Sequence, residues 1–131
     1  YYKAYFPSTS LIGKKRSDSN FVIDNIAVPS FVNAPSFGII YTGFINFPAD
    51  GVYNFYLTSD DGSVLKIGDR ETINNDGLHS AIEKSGQAAV RKGLQPFELD
   101  FIEGGGGYTL KLEYSKDGAG RREIPAAWLG H

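Results

Sequence analysis

Residues 51–62 decide the fold and read Gly51-Val52-Tyr53-Asn54-Phe55-Tyr56-Leu57-Thr58-Ser59-Asp60-Asp61-Gly62. In an extended strand, Tyr53, Phe55 and Leu57 fall on one face and the residues between them fall on the other. This period of two predicts a half-buried β-strand, and the Asp-Gly pair at its end predicts a turn. A turn needs only one Asp, so the second is a surplus that a cation or a polyhydroxy ligand would explain.

The same signals recur along the chain. Asp-Gly pairs occur at 50–51, 61–62, 76–77 and 117–118, each beside an alternating apolar run. Further strands are predicted at residues 39–47, 64–67, 71–74, 88–90, 97–101 and 108–114. The last two are joined by four glycines, 104–107, and we expect them to form an antiparallel pair. The first 36 residues carry weaker signals and are expected to form a loop-rich edge.

These patterns predict an all-β fold, an antiparallel two-sheet β-sandwich that occupies residues 1–131 as a single module. A chain of 131 residues is long enough to bury roughly two-thirds of its unfolded surface. The chain starts at Tyr1 and contains no Met, so we expect it to be a mature or excised piece of a larger protein. No apolar run approaches the ~20 residues that span a bilayer.

Charge and cysteine content exclude some classes of partner and site. The formal net charge of −2 offers no basic surface for a phosphate backbone, so nucleic acid is not an expected partner. The absence of Cys excludes disulfides, zinc-thiolate sites and a cysteine nucleophile. No nucleophile elbow, phosphate loop or metalloprotease helix is present either, and we expect a noncatalytic protein.

A second polar turn follows the first by about a dozen residues. It supplies Asn74, Asn75, Asp76 and His79, which would lie beside Asp60 and Asp61 if the two loops share one rim of the sandwich. Carboxylate and amide groups match the hydroxyls of a glycan, so all six residues are candidate ligand-binding residues. The alternative is that residues 75–77 form a tight turn with positive φ angles and that His79 is exposed.

Asp60 and Asp61 are also the candidate metal ligands. Consecutive residues of an extended strand point to opposite faces, so both can ligate one ion only if the backbone between them is unusual. We therefore expect a cis peptide bond at this position if a metal binds. The alternative is that Asp60 bonds to loop amides and Asp61 only begins a turn with Gly62.

Five blocks of sequence resemble the protective-antigen fourteen-kilodalton domain family over about residues 41–129. The blocks are residues 51–55, 59–68, 74–79, 92–93 and 108–112, and their order and spacing agree with the family. The resemblance implies a β-sandwich or barrel-like module, found in glycoside hydrolases, adhesins and a toxin and mostly extracellular. In its sugar-binding adhesin members, paired aspartates joined by a cis bond chelate calcium, which holds two sugar hydroxyls. Asp60 and Asp61 match that pair, whereas residues 115–120 lack the Asn that these adhesins use in a later loop.

The stretch 112–129 is similar to the version of this module appended to secreted bacterial β-hexosaminidases. This resemblance implies a noncatalytic carbohydrate-binding accessory module of a bacterial glycoside hydrolase, with a glycan and the remainder of the enzyme chain as partners. It also implies an extracellular, periplasmic or cell-surface location. The resemblance to the adhesin members implies calcium as a cofactor. The alternative is a structural or interaction module, without its own ligand, that shapes the parent enzyme's active-site opening or its oligomer contacts.

Two aromatic residues are candidates for stacking against a sugar ring. Tyr56 lies on the polar face of its strand, and Trp128 lies near the end of the chain. The large apolar surface of Trp128 favours a second interpretation, in which it closes one end of the sandwich.

Overall fold

The computed structural model describes residues 1–14 and 16–130, which form two antiparallel β-sheets and two short 3₁₀ helices. The strands are β1 Phe37–Phe47, β2 Gly51–Asp60, β3 Ser63–Ile67, β4 Arg70–Asn75, β5 Ile82–Val90, β6 Gly93–Glu103, β7 Thr109–Lys116, β8 Arg122–Glu123 and β9 Leu129–Gly130. One sheet has the order β4-β3-β6-β1-β9 and the other the order β5-β2-β7-β8. The predicted all-β, two-sheet sandwich is confirmed.

The core lies between the sheets and follows the alternation in the sequence. Tyr53, Phe55 and Leu57 of β2 are each at most 1% exposed, and they belong to the same buried cluster as Leu99 and Phe101 of β6. Full burial of each such side chain stabilises the fold by ~2 to 3 kcal/mol. The inward faces named from the sequence therefore form the core.

The prediction that residues 97–101 and 108–114 form an antiparallel pair is wrong. β6 pairs with β1 and β3 in one sheet, whereas β7 pairs with β2 and β8 in the other. The glycines at 104–107 thus carry the chain from one sheet to the other. Alternation identifies the buried face of a strand, but it does not identify the neighbouring strand.

The described part of the first 36 residues is loop-rich, as predicted, and its beginning also packs on one face of the five-stranded sheet. It contains the 3₁₀ helix Thr9–Leu11, and Tyr2 forms an isolated bridge with Gly38. Phe6 and Ile12 pack on Ile102, which lies on the opposite face of β6 from Phe101. The segment is therefore part of the packed structure.

Asp100 lies on this covered face, where its Oδ1 atom is buried and has no hydrogen-bond partner among the described residues. The pKa of Asp100 is raised to about 7, mainly by burial and also by a hydrogen bond with the neighbouring Glu98 and by the charge of Glu98. The charge of Asp76 contributes to this increase, and the charge of Lys66 partly offsets it. Ionised Asp100 is therefore unfavourable in the folded state.

We expect Asp100→Asn to stabilise the protein at pH 8 by on the order of 1 kcal/mol and to have much less effect at pH 4.5. An unfolded Asp titrates near 3.9, so the folded state binds more protons between about pH 4 and 7, and wild-type stability falls as pH rises through this window. Asn cannot ionise and avoids this loss. Urea unfolding at both pH values measures the difference, with the exposed Asp69→Asn as control. An equal effect at both pH values would contradict the assignment.

Candidate functional site

Three connections between the sheets lie at one rim of the sandwich. They are residues 61–62 between β2 and β3, residues 76–81 between β4 and β5, and residues 104–108 between β6 and β7. Strand register places them together: Ser63 pairs with both Asn75 and Phe101, and Asp60 pairs with Thr109. The two polar loops identified in the sequence therefore share a rim, and the glycine-rich connection joins them there.

The first two of these loops are in backbone contact. A Cβ atom added at Gly62 would lie 2.5 Å from the Gly77 carbonyl oxygen and 2.6 Å from the Gly77 nitrogen. Only glycine allows this approach, because the obstructing atoms belong to the backbone and cannot rotate away. Gly77 itself has φ +105°, a conformation that side chains rarely adopt.

Asp61 connects all three loops through its carboxylate. Its Oδ1 accepts a hydrogen bond from the backbone N–H of His79 at 3.0 Å, and its Oδ2 accepts one from the backbone N–H of Gly104 at 2.6 Å. The peptide bond between Asp60 and Asp61 is cis. The loop amides that the sequence alternative assigned to Asp60 are thus bonded by Asp61.

Glu103 completes an acidic cluster with the two aspartates. One carboxylate oxygen each from Asp60, Asp61 and Glu103 lie within 4.8 Å of one another, and this trio is called the rim site below. Glu103 is 0% exposed, and its Oε1 accepts a hydrogen bond from the Gly105 N–H at 2.8 Å. Its Oε2 is buried and has no hydrogen-bond partner among the described residues. These oxygen ligands can hold a metal ion.

The electrostatics of the rim site disfavour three ionised groups. The pKa of Glu103 is raised to about 7, and burial is the main cause; Asp61 and Asp60 also raise it, whereas the hydrogen bond from the Gly105 N–H lowers it. Desolvation also raises the pKa of Asp60, as does the charge of Asp61, and His79 opposes both. A divalent cation would remove this repulsion.

Glu103 was not among the residues selected from the sequence, although the sequence contains a signal for it. Phe97, Leu99 and Phe101 mark the inward positions of β6, and the next inward position is Glu103. A carboxylate on the buried face at the end of a strand requires a partner. The four glycines that follow Glu103 indicate a turn, and this stronger signal masks the one at Glu103.

Of the second-loop candidates, Asn74 is exposed, whereas Asn75 is 1% exposed. The Asn75 side-chain amide donates to the carbonyl oxygens of Ile82 at 2.8 Å and Leu57 at 3.3 Å, and to Ser59 Oγ at 3.3 Å. Asn75 therefore joins strands of both sheets beneath the loop. Asn74 Oδ1 accepts a bond from the Asp76 N–H at 3.1 Å, which shapes the turn.

Asp76 binds the N-terminal segment to the second loop. Its carboxylate accepts hydrogen bonds from Ser8 Oγ at 2.6 Å and from the backbone N–H groups of Thr9 and Gly77, each at 2.8 Å. Burial tends to raise the pKa of Asp76, but these hydrogen bonds outweigh it and the pKa is lowered. Asp76 is thus an anchor whose oxygens are already engaged.

His79 is partly buried, in contrast to the exposed position that the alternative interpretation gave it. Its Nδ1 lies 2.7 Å from the Ser80 carbonyl oxygen, and its Nε2 lies 2.8 Å from the Asn75 carbonyl oxygen. The ring therefore braces the loop that presents the His79 N–H to Asp61.

The two aromatic candidates are partly buried, and each already contacts a neighbouring side chain. The Tyr56 hydroxyl forms a hydrogen bond with Ser115 Oγ at 2.9 Å, and the guanidinium carbon of Arg121 lies 3.8 Å from the centroid of the Tyr56 ring. Trp128 packs against Tyr114 with ring centroids 4.9 Å apart. Trp128 is thus part of the packed sandwich.

A comparison against protein families identifies the family of this chain. The model described as the PA14 domain matches residues 1–130, and the chain belongs to this family. No curated protein matches this chain. Among the described residues, no helix is long and apolar enough to cross a membrane.

Solved structures share the fold at low sequence identity. The PA14 domain of the MpAFP antifreeze protein is 24% identical with a TM-score of 0.66, over 72% of this chain and 51% of that one. A PA14 sugar-binding domain from an RTX adhesin is 20% identical with a TM-score of 0.68, over 76% and 56%. A β-glucosidase from Kluyveromyces marxianus in complex with glucose is 18% identical with a TM-score of 0.60, over 80% of this chain and 14% of that one. This chain aligns with about half the length of the first two.

Proposed function

We propose that this chain is a noncatalytic carbohydrate-binding module whose rim site holds calcium and engages glycan hydroxyls through it. The observation that carries the proposal is the buried, unpartnered Oε2 of Glu103 within a group of three carboxylates. A buried carboxylate oxygen without a partner is costly, and a cation supplies the missing partner.

The donor set selects the kind of cation. Asp60, Asp61 and Glu103 offer only oxygen, which suits a hard cation such as Ca²⁺. Calcium takes six to eight oxygen ligands, and it can share its remaining positions with water or sugar hydroxyls. Of the six sequence candidates, Asp60, Asp61 and the exposed Asn74 are proposed to serve the ligand, while Asn75, Asp76 and His79 hold the loops.

A binding role is further supported by a structural relative, the PA14 sugar-binding domain from an RTX adhesin. The proposed setting is an extracellular, periplasmic or cell-surface protein, with a bacterial glycoside hydrolase of the β-hexosaminidase type as parent; the fold shared with a β-glucosidase supports the hydrolase parent.

Calcium titration tests the metal. We expect CaCl₂ at 100 times its dissociation constant to stabilise the wild-type protein by ~2.7 kcal/mol, and EDTA to reverse the effect. Glu103→Gln should weaken calcium binding at least tenfold, because it removes one of three carboxylate charges while keeping the size of the side chain. Calorimetric titration gives the affinities, and thermal melts give the stabilisation.

The exposed Asp69→Asn removes one acidic charge outside the rim site and is the matched control; it should bind calcium like wild type. Absence of calcium binding by the wild-type protein would overturn the metal assignment. If neither calcium nor any neutral sugar changes its melting temperature, the alternative of a structural or interaction module without its own ligand is favoured.

A further inference from the structure

An exposed aromatic ring borders the rim site. Three side chains surround Gly104. A Cβ atom built on this glycine would lie 2.8 Å from Leu78 Cδ2, 3.2 Å from Asp61 Oδ2 and 3.5 Å from Tyr5 Cε2. Tyr5 is 57% exposed and Leu78 is 46% exposed. A carboxylate of the rim site, an aromatic ring and an apolar side chain therefore all meet at one glycine.

The segment that carries Tyr5 is fixed at this rim. Ser8 and Thr9 donate hydrogen bonds to Asp76 of the second loop, and Phe6 is 6% exposed and packs on Ile102. Tyr5 thus lies between anchored neighbours while its own ring stays open to solvent. A large apolar ring that is held in place and exposed beside polar ligand groups is typical of a recognition site.

We propose that Tyr5 is the aromatic platform of the glycan site, against which a neutral pyranose stacks while its hydroxyls reach the rim site. This inference rests on the proposed function. A pyranose has an apolar C–H face, which can stack on an aromatic ring, and hydroxyl groups around its edge, which can bind to a metal ion or to carboxylate oxygens. It therefore matches a site that places an aromatic ring beside the carboxylates of the rim site. Leu78 borders the same site and adds apolar contact.

The other aromatic residues near this rim or selected from the sequence are less available. Arg121 covers Tyr56, and Trp128 packs on Tyr114. Tyr108 is 43% exposed, less than Tyr5, and its ring packs edge-on against Phe37 with ring centroids 5.5 Å apart. Tyr5 is the ring whose Cε2 lies 3.5 Å from the Cβ position built on Gly104, the glycine whose N–H donates to Asp61.

The test compares Tyr5→Ala with Tyr5→Phe in the full chain of 131 residues, with saturating CaCl₂. Glucose, galactose, mannose and N-acetylglucosamine are the probes, with affinity measured by calorimetry. We expect Tyr5→Ala to weaken binding of the tightest of these sugars about tenfold, and Tyr5→Phe to stay within about twofold of wild type. Saturation-transfer NMR should show the sugar C–H protons losing their contact with the protein in Tyr5→Ala.

Phe44→Ala is the matched control. Phe44 is also an exposed aromatic residue, at 41%, but it is remote from the rim site: it pairs with Pro96, seven positions along β1 from the pair of Phe37 with Glu103. It should bind both calcium and sugar like wild type, and Tyr5→Ala should keep wild-type calcium affinity. Sugar binding that is equal in Tyr5→Ala and wild type overturns the platform alone. A wild-type protein that binds calcium but none of the four sugars overturns both the platform and the proposed glycan function.

Discussion

Gly62→Ala is expected to destabilise the protein by at least about 2 kcal/mol and to weaken calcium binding more than tenfold. The added methyl group would lie 2.5 Å and 2.6 Å from the backbone oxygen and nitrogen of Gly77, so the two loops must separate. Separation of the loops moves the Asp61 carboxylate away from the His79 N–H, from which it accepts a hydrogen bond. Urea unfolding and calcium calorimetry measure the two effects, and the melting temperature should fall by roughly 3 to 5 °C for each kcal/mol lost.

Gly120→Ala is the control for this substitution. Apart from its two chain neighbours, no atom of the described residues lies within 4 Å of a Cβ built at Gly120, and its φ is not positive, so the change should be close to neutral. If Gly62→Ala has the same melting temperature and calcium affinity as Gly120→Ala, the two loops do not touch in solution.

Asp61→Ala should cost about 3 kcal/mol of stability and abolish calcium binding. The substitution leaves the part-buried N–H groups of His79 and Gly104 without their acceptor, and bonds to a charged group contribute roughly 1.5 to 3 kcal/mol each. It also removes one of the three carboxylates of the rim site. Thermal melts with and without calcium separate the structural loss from the binding loss.

Asp61→Asn distinguishes the two roles of this side chain. Its carbonyl oxygen can still accept one of the two backbone bonds, so about half of the stability loss should be recovered while calcium affinity stays far below wild type. The exposed Asp69→Ala provides a baseline for loss of an acidic side chain elsewhere. Wild-type calcium affinity in Asp61→Asn would refute the role of Asp61 as a ligand.

Much of the fold could be predicted because alternation reports directly on burial. Tyr53, Phe55 and Leu57 were assigned to one inward face, and all three are buried. Pairing is a longer-range property: the four glycines at 104–107 have the composition of a hairpin turn, and only the packed structure shows that they cross between sheets. The coverage of a sheet by the first 36 residues was also hidden, because Phe6 and Ile12 follow no regular period.

The site was predictable to the extent that it lies in loops with unusual composition. The surplus acid at Asp60 and Asp61 and the amides of the second turn pointed to the rim where Asp60, Asp61 and Glu103 lie together. The sequence could not separate residues that face outward from those that hold the loops, so Asn75 and Asp76 were grouped with Asn74. Tyr5 was not selected, because it is distant in sequence and is brought to the rim by the bonds of Ser8 and Thr9 to Asp76.

The chain changes sheets at all three connections of this rim, and the Asp61 carboxylate is bonded to two of them while belonging to the third. A pulling force that tends to open the sandwich from this end must therefore break the Asp61 bonds before the layers can part. In a protein that tethers a cell or an enzyme to a surface, an ion bound at this rim would resist separation of the two sheets, and the force needed to unfold the module would depend on the concentration of that ion.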